Sequence, residues 1–310
     1  MLIMIKFHRL IVFAGCMLLM AGPFNLAAGR APVIPDMTGK APPAFANGRR
    51  VPSIMNELGM VFVYIPPGEF EMGSPPDEPG RQANETAHRV QLSQGFYMMT
   101  TEVTQKQWMA VMGQNPSVFS DCGPDCPVEN VPWSQIFRFI TRLNHLMKTK
   151  QAHIKLSSSE KEINAPAGDE ITAAVRRLQY RLPTEAQWEY ACRATGRGWF
   201  SFEGDLAALD EYAWFKGNSG GSTHPVAQKK PNAFGLYDMH GNVWEWCLDF
   251  AGPYPSKPVT DPKGMATGSF RVVRGGSWYY PALEARTANR SFLLPGSGNY
   301  NVGFRLVLTP

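Results

Sequence analysis

The chain of 310 residues carries 30 Lys and Arg against 26 Asp and Glu, a net charge of +4, with 12% aromatic residues and five cysteines. That length admits one large domain or two medium ones. Nearly balanced charge, with no polybasic tract and no arginine-rich helix, speaks against a nucleic-acid-binding protein.

Residues 1–28 read as a secretory signal. Lys6, His8 and Arg9 precede an apolar core from Leu10 to Phe24, and Leu26-Ala27-Ala28 supplies small residues for cleavage. The core is short for a membrane span, so no transmembrane segment is expected after its removal. Phe13-Ala14-Gly15-Cys16 has the look of a lipoprotein box, but the apolar run continues past Cys16 to Met20. A periplasmic or secreted protein is therefore expected over one anchored through Cys16. Signal removal takes away Lys6 and Arg9 and lowers the net charge from +4 to +2.

Residues 29–55, with Pro32, Pro35, Pro42, Pro43 and Pro52, suit an extended lead-in, and the folded domain is expected over 57–309. Val61–Ile65 is a β-rich run closed by Pro66-Pro67-Gly68, and Gly68–Met72 follows as a second strand; together they predict a hairpin. Residues 74–87 are polar and loop-like, His88–Leu92 alternates as a strand, and Phe96–Met99 continues the sheet. Val103, Trp108, Val111 and Met112 share one face of a helix over Gln105–Met112. A longer helix over Gln135–Met147 places Ile136, Phe139, Ile140, Leu143 and Leu146 on one side. A third, ending at Cys192, is opened by Pro183 and capped by Thr184. Residues 149–177 are polar and charged, as a surface insertion would be. Beyond residue 193 the chain is rich in Gly, Pro, Asn and aromatics without periodicity, so loops packed on aromatic anchors are expected.

Four cysteines remain after signal removal. Cys122-Gly-Pro-Asp-Cys126 predicts a local disulfide in an exported protein. A zinc half-site is the alternative, but no second close Cys/His pair exists to complete it. Cys192 and Cys247 sit among aromatics, either as buried structural thiols or paired with each other; spacing leaves that connectivity open.

The stretch Asn232–Trp246, NAFGLYDMHGNVWEW, concentrates the chemistry. Gly241-Asn242 permits a tight turn between Asp238 and Glu245. Such a turn can aim two carboxylates and intervening carbonyls at one point, the all-oxygen environment calcium needs. The plainer alternative has Asp238 capping a turn and Glu245 meeting an arginine. His224 and His240 with Asp238 or Glu245 could form a two-histidine, one-carboxylate iron site, but their spacing defines no such geometry and favours a structural role; iron is left open. Downstream, Trp244, Ser277, Trp278, Tyr279, Tyr280, Glu284, Arg286 and Arg290 fall where a cleft for a peptide or small molecule is expected. The alternative is that Glu284, Arg286 and Arg290 make internal salt bridges.

Several ordered blocks carry a resemblance. Tyr180-Arg-Leu-Pro-Thr-Glu185 with Trp188-Glu189, the NAFGLYDMHGNVWEW stretch, Arg274-Gly-Gly-Ser-Trp278 and Gly303-Phe304-Arg305 resemble the formylglycine-generating enzyme, or sulfatase-modifying factor, family. The resemblance implies a single irregular α+β domain of the C-type lectin superfold. It also implies structural calcium at Asp238, Gly241, Val243 and Glu245, the middle two through their carbonyls. The family's other calcium site is not expected, because Gly217–Ser222 offers no acidic residue. Catalytic members are implied to hold copper(I) with two cysteines after the GGS block. Here Tyr280 stands in the first place, the second falls near Ala285, and no cysteine occurs from 248 to 310. A phenol is no substitute for a thiolate on copper(I), so copper is not expected.

The resemblance thus implies an exported oxidative tailoring or maturation factor that does not act on sulfatases, similar to the sibling branch that matures a siderophore. Glu284, Tyr280 and Ser277 are then the catalytic candidates. The alternative is a non-catalytic, calcium-stabilised binding or envelope-scaffold module; formylglycine generation on sulfatases is a third.

Overall fold

The computed structural model describes residues 53–149, 155–156 and 178–309, so the signal segment 1–28 and the lead-in as far as residue 52 lie outside the described residues. In chain order come β1 (Ser53–Met55), β2 (Val61–Ile65), β3 (Gly68–Met72), β4 (His88–Leu92), β5 (Phe96–Met99) and the helices α1 (Gln105–Met112) and α2 (Trp133–Thr149). Then follow β6 (Lys155–Leu156), β7 (Gln179–Arg181), α3 (Glu185–Arg193), β8 (Trp244–Phe250), β9 (Val259–Thr260), β10 (Arg271–Arg274), β11 (Arg290–Leu293), β12 (Val302–Gly303) and β13 (Val307–Thr309). They form a six-stranded sheet in the order β6-β1-β2-β5-β13-β7, a four-stranded sheet β11-β10-β8-β12 and a three-stranded sheet β3-β4-β9.

The expected hairpin is not formed. β2 lies antiparallel between β1 and β5, whereas β3 pairs with β4 in a different sheet. Pro66 and Pro67 lack N–H donors and hold the chain extended where a tight turn would be needed. The two strands also suit different positions: β2 is buried along most of its length, and β3 alternates half-buried and exposed residues until Met72. A second correction concerns the domain start. Ser53–Met55 pairs with Val61–Val63, so the sheet takes in the last residues of the expected lead-in. Within the 149–177 insertion, Lys155 and Leu156 pair with Met55 and Ile54 at the sheet edge; residues 150–154 and 157–177 lie outside the described residues.

Two of the helices, α1 and α3, start where their caps dictate. Thr104 Oγ1 accepts the Gln107 N–H at 3.3 Å while Gln107 Oε1 accepts the Thr104 N–H at 3.0 Å, and Gly113 ends α1 in the left-handed region. Thr184 and Gln187 repeat the same reciprocal box at α3. Each box satisfies two backbone donors that a helix start otherwise leaves open. Trp108 of α1 lies parallel to Phe139 of α2 at 5.1 Å and edge-on to Phe304 at 6.0 Å, which locks both helices to the C-terminal segment.

β8 faces two apolar clusters at once. Trp246 joins Trp108, Phe139 and Phe304 on one side, and Cys247 joins Trp188, Phe234 and Val272 on the other. Cys122 and Cys126 are disulfide-bonded, and Cys192 and Cys247 are buried free thiols, not paired with each other. Burial pushes both thiols above their ordinary value, which leaves them unreactive. Among the described residues no helix is long and apolar enough to cross a membrane.

Candidate functional site

The loop ahead of β8 is built inward from Asn232. Its side-chain oxygen accepts the N–H groups of Phe234 and Leu236 at 3.0 and 3.1 Å, and its amide donates to the Ala191 carbonyl at the end of α3 at 2.8 Å. Asp238, Gly241 and Asn242 then adopt positive φ of 55°, 82° and 53°. Only glycine fits the middle position, since a Cβ on Gly241 would lie 2.1 Å from the Trp214 carbonyl oxygen.

Three acids gather at this turn. Glu245 accepts Arg305 on both oxygens at 2.7 Å and the Trp188 indole N–H at 2.7 Å. Asp238 accepts the Ala227 N–H at 2.7 Å on one oxygen, while its buried Oδ1 has no partner. Glu102, between β5 and α1, is fully buried with neither oxygen partnered. Burial raises the Asp238 carboxyl to about 6, against the pull of the Ala227 N–H and Arg305. Burial, then the charges of Asp238 and Glu245, push Glu102 well above the usual carboxylate range.

This arrangement fits a hard divalent cation in two respects. Three acids face one guanidinium, and an inward carboxylate oxygen of Asp238 lacks a donor. Glu245 meets an arginine, as the plainer alternative had it, and that engagement weakens its part in the expected ligand set. Asp238 and the carbonyls of Gly241 and Val243 are the groups that would hold calcium, whose charge would balance the excess of acid. Among the described residues no group of three His, Cys, Asp or Glu side chains is arranged as a ready metal cluster, so backbone oxygens would have to complete the shell.

The two histidines serve other ends. His240 is buried, with Nδ1 2.7 Å from the Ala285 carbonyl and Nε2 2.8 Å from Ser201 Oγ, and burial lowers its pKa to about 4. His224 stacks on Trp214 at 3.7 Å and has Nε2 2.7 Å from the Ser219 carbonyl. Those contacts occupy both ring nitrogens of His240 and Nε2 of His224.

The second cluster divides into a buried framework and an exposed face. Arg286 and Arg290, expected to line a cleft, turn inward. Arg286 is fully buried on Glu78 and on both oxygens of Glu85, clamping the 74–87 loop, and Arg290 grips Glu185 at 2.6 and 2.7 Å. A buried guanidinium needs a carboxylate, and these sit some 200 or 100 positions away in sequence, where spacing gives no hint. Glu284 accepts the Asn289 amide at 2.8 Å. Ser277 is buried, taking hydrogen bonds from Asn301 and from the Tyr279 N–H at 3.4 Å. Trp244 is buried edge-on to Tyr280 at 5.8 Å.

What remains exposed is aromatic. Trp278 packs between Phe119 at 5.1 Å and Tyr300 at 5.7 Å, and its flanks present Tyr279, Tyr280 and Tyr300 at 47%, 38% and 39% exposure. Val118 and Leu294 are exposed as well. Val118, Phe119 and Tyr300 belong to loops with no periodic pattern, so sequence reasoning passed over them. Behind Phe119 lies Glu129, whose Oε1 accepts the Phe119 N–H at 2.9 Å and whose Oε2 is buried without a partner.

Burial raises Glu129 from 4.5 to about 7, with the Phe119 and Val118 N–H groups opposing. The folded state therefore holds a proton that the unfolded chain has released between those values, and this group's share of stability is lost as pH rises from 4.5 through 7. Glu129→Gln should flatten the melting-temperature profile across that window relative to wild type. Parallel profiles would show that the carboxyl titrates normally.

The α+β scaffold with its irregular second half is one that this chain shares with proteins of the formylglycine-generating class. The sulfatase-modifying factor enzyme 1-like domain family matches residues 52–310, and the chain belongs to that family with its C-type-lectin-like fold. Among its relatives, the chaperone protein LppX of Paenibacillus barcinonensis is 33% identical over 228 residues, covering 66% of this chain and 75% of that protein. The formylglycine-generating enzyme of Streptomyces coelicolor is 37% identical over 165 residues, covering 44% of this chain but only 49% of that enzyme. Treponema denticola variable protein 1 superposes with a TM-score of 0.68 at 31% identity, covering 83% of this chain and 99% of that one.

Proposed function

We propose that this protein is an exported, calcium-stabilised recognition and maturation module that holds a polypeptide on the face formed by Tyr279, Tyr280 and Tyr300 around Trp278. The observation carrying this reading is the contrast between that open aromatic surface and the internal engagement of Arg286, Arg290 and Glu284. Rigid aromatics give large contact area at low entropic cost, and a patch of this kind on a monomer marks an interaction site. The relative named as a chaperone supports a polypeptide as the occupant. Export is supported by the leader-like residues 1–28 and by the Cys122–Cys126 disulfide, a bond that persists in oxidising compartments. In an array of unstructured peptides, Tyr279→Ala with Tyr300→Ala should weaken binding about tenfold or more, the effect of losing central aromatic anchors. Unchanged binding would sink the proposal.

A second reading, oxidative tailoring, is favoured by Tyr280 lying near Glu284. Its phenol is raised by burial and then by that carboxylate. Catalysed oxygen uptake with a bound peptide, lost in Glu284→Gln, would favour it. Copper-dependent aldehyde formation on a sulfatase-motif peptide would overturn both readings, since Tyr280 and Ala285 stand where the family's thiols are implied.

A further inference from the structure

We propose that Glu102 supplies a carboxylate oxygen to the calcium site of the Asp238–Glu245 loop, bringing the segment between β5 and α1 into the ion's shell. The inference rests on the calcium reading of that loop and goes beyond it, because Glu102 lies more than a hundred positions upstream and belongs to no part of the expected ligand set.

Backbone hydrogen bonds place Glu102 there. Tyr237 N–H donates to the Thr100 carbonyl at 2.8 Å, tying the residue before Asp238 to the strand end that leads into Glu102. On its other side, Val103 N–H donates to the Phe304 carbonyl at 2.9 Å, next to Arg305. Arg305 in turn donates to the carbonyls of Met99 and Tyr237 at 3.2 and 2.8 Å. Glu102 is thereby held between the turn and the arginine, and the electrostatic neighbours of its side chain are Asp238, Glu245 and Arg305.

Charge and hydrogen-bond accounting then call for a cation. Arg305 pairs directly with Glu245, and Asp238 and Glu102, though they feel its charge and Asp238 that of Lys229, have no ion-pair partner of their own in a site shut off from water. Both oxygens of Glu102 and Oδ1 of Asp238 are buried without a donor. A buried carboxylate with no partner costs several kcal/mol unless something offsets it. A divalent ion would stabilise the ionised form of both acids, and the Glu102 carboxylate compensates for Glu245 being engaged by Arg305 and Trp188. Calcium's demand for six to eight oxygens is then met by carboxylates, the Gly241 and Val243 carbonyls and water.

The test is calcium titration calorimetry on the signal-cleaved full chain after chelator treatment, comparing wild type, Glu102→Gln and Asp238→Asn, with melting in chelator as the check on folding. Wild type should bind a single calcium, and Glu102→Gln should bind it about tenfold or more weakly, since affinity follows ligand charge. Its melting temperature in chelator should equal or exceed that of wild type, because one of two unbalanced acids is gone. Equal calcium affinity in Glu102→Gln, with Asp238→Asn still impaired, overturns the role of Glu102 and leaves the loop's calcium site standing. No calcium binding by wild type overturns both.

Discussion

Replacing Arg305 with leucine is expected to lower the unfolding free energy by about 3–5 kcal/mol, the cost of removing one partner from a buried ion pair. Arg305 is fully buried and donates to both Glu245 oxygens and to two backbone carbonyls. Burial works against its charge, but Glu245, Glu102 and Asp238 more than restore it. Leucine fills part of the space, strands Glu245 without its ion-pair partner and removes a charge that also acts on Asp238 and Glu102. Urea unfolding at neutral pH would show the loss, and saturating calcium should return part of it. A loss below about 1 kcal/mol, the range of exposed pairs, would mean that the acids do not depend on the arginine.

Trp108→Ala is the second large effect, about 3–5 kcal/mol. The indole is 1% exposed and is shared by α1, α2 and the segment that carries Phe304 and Arg305. Its loss leaves a cavity bounded by three separate parts of the chain, so relaxation of one helix cannot close it. Trp108→Phe, which keeps an aromatic plane against Phe139, should cost clearly less. Equal losses for alanine and phenylalanine would show that the ring stack carries none of the stability.

The helices were legible because their signals are local. Thr104, Thr184 and the glutamines three positions later state the helix starts within four residues, and the apolar face of α2 repeats at helical spacing. β8 was legible only as a motif, since Trp246 and Cys247 point into different apolar clusters and remove the alternation that marks a half-buried strand. Strand partners were less legible still: Pro66 and Pro67 look like a turn, and nothing near them says that β3 will leave its neighbour for β4. In the site, the inward turn at Asp238–Asn242 was foreseen from Gly241. Glu102, Glu129 and the acids that capture Arg286 and Arg290 were not, because a carboxylate's burial is decided by tertiary packing that no spacing encodes.

β13 lies between β5 and β7, so Val307–Thr309 join the outermost strand β7 to the rest of the largest sheet. Without β13, β7 has no partner strand among the described residues, β5 is paired on one side alone, and neither can bond to the other across the gap. Completion of this sheet consequently waits on pairings between residues far apart in sequence, such as Val307 with Met98. Until then the edges of β5 and β7 are open to any strand-forming neighbour.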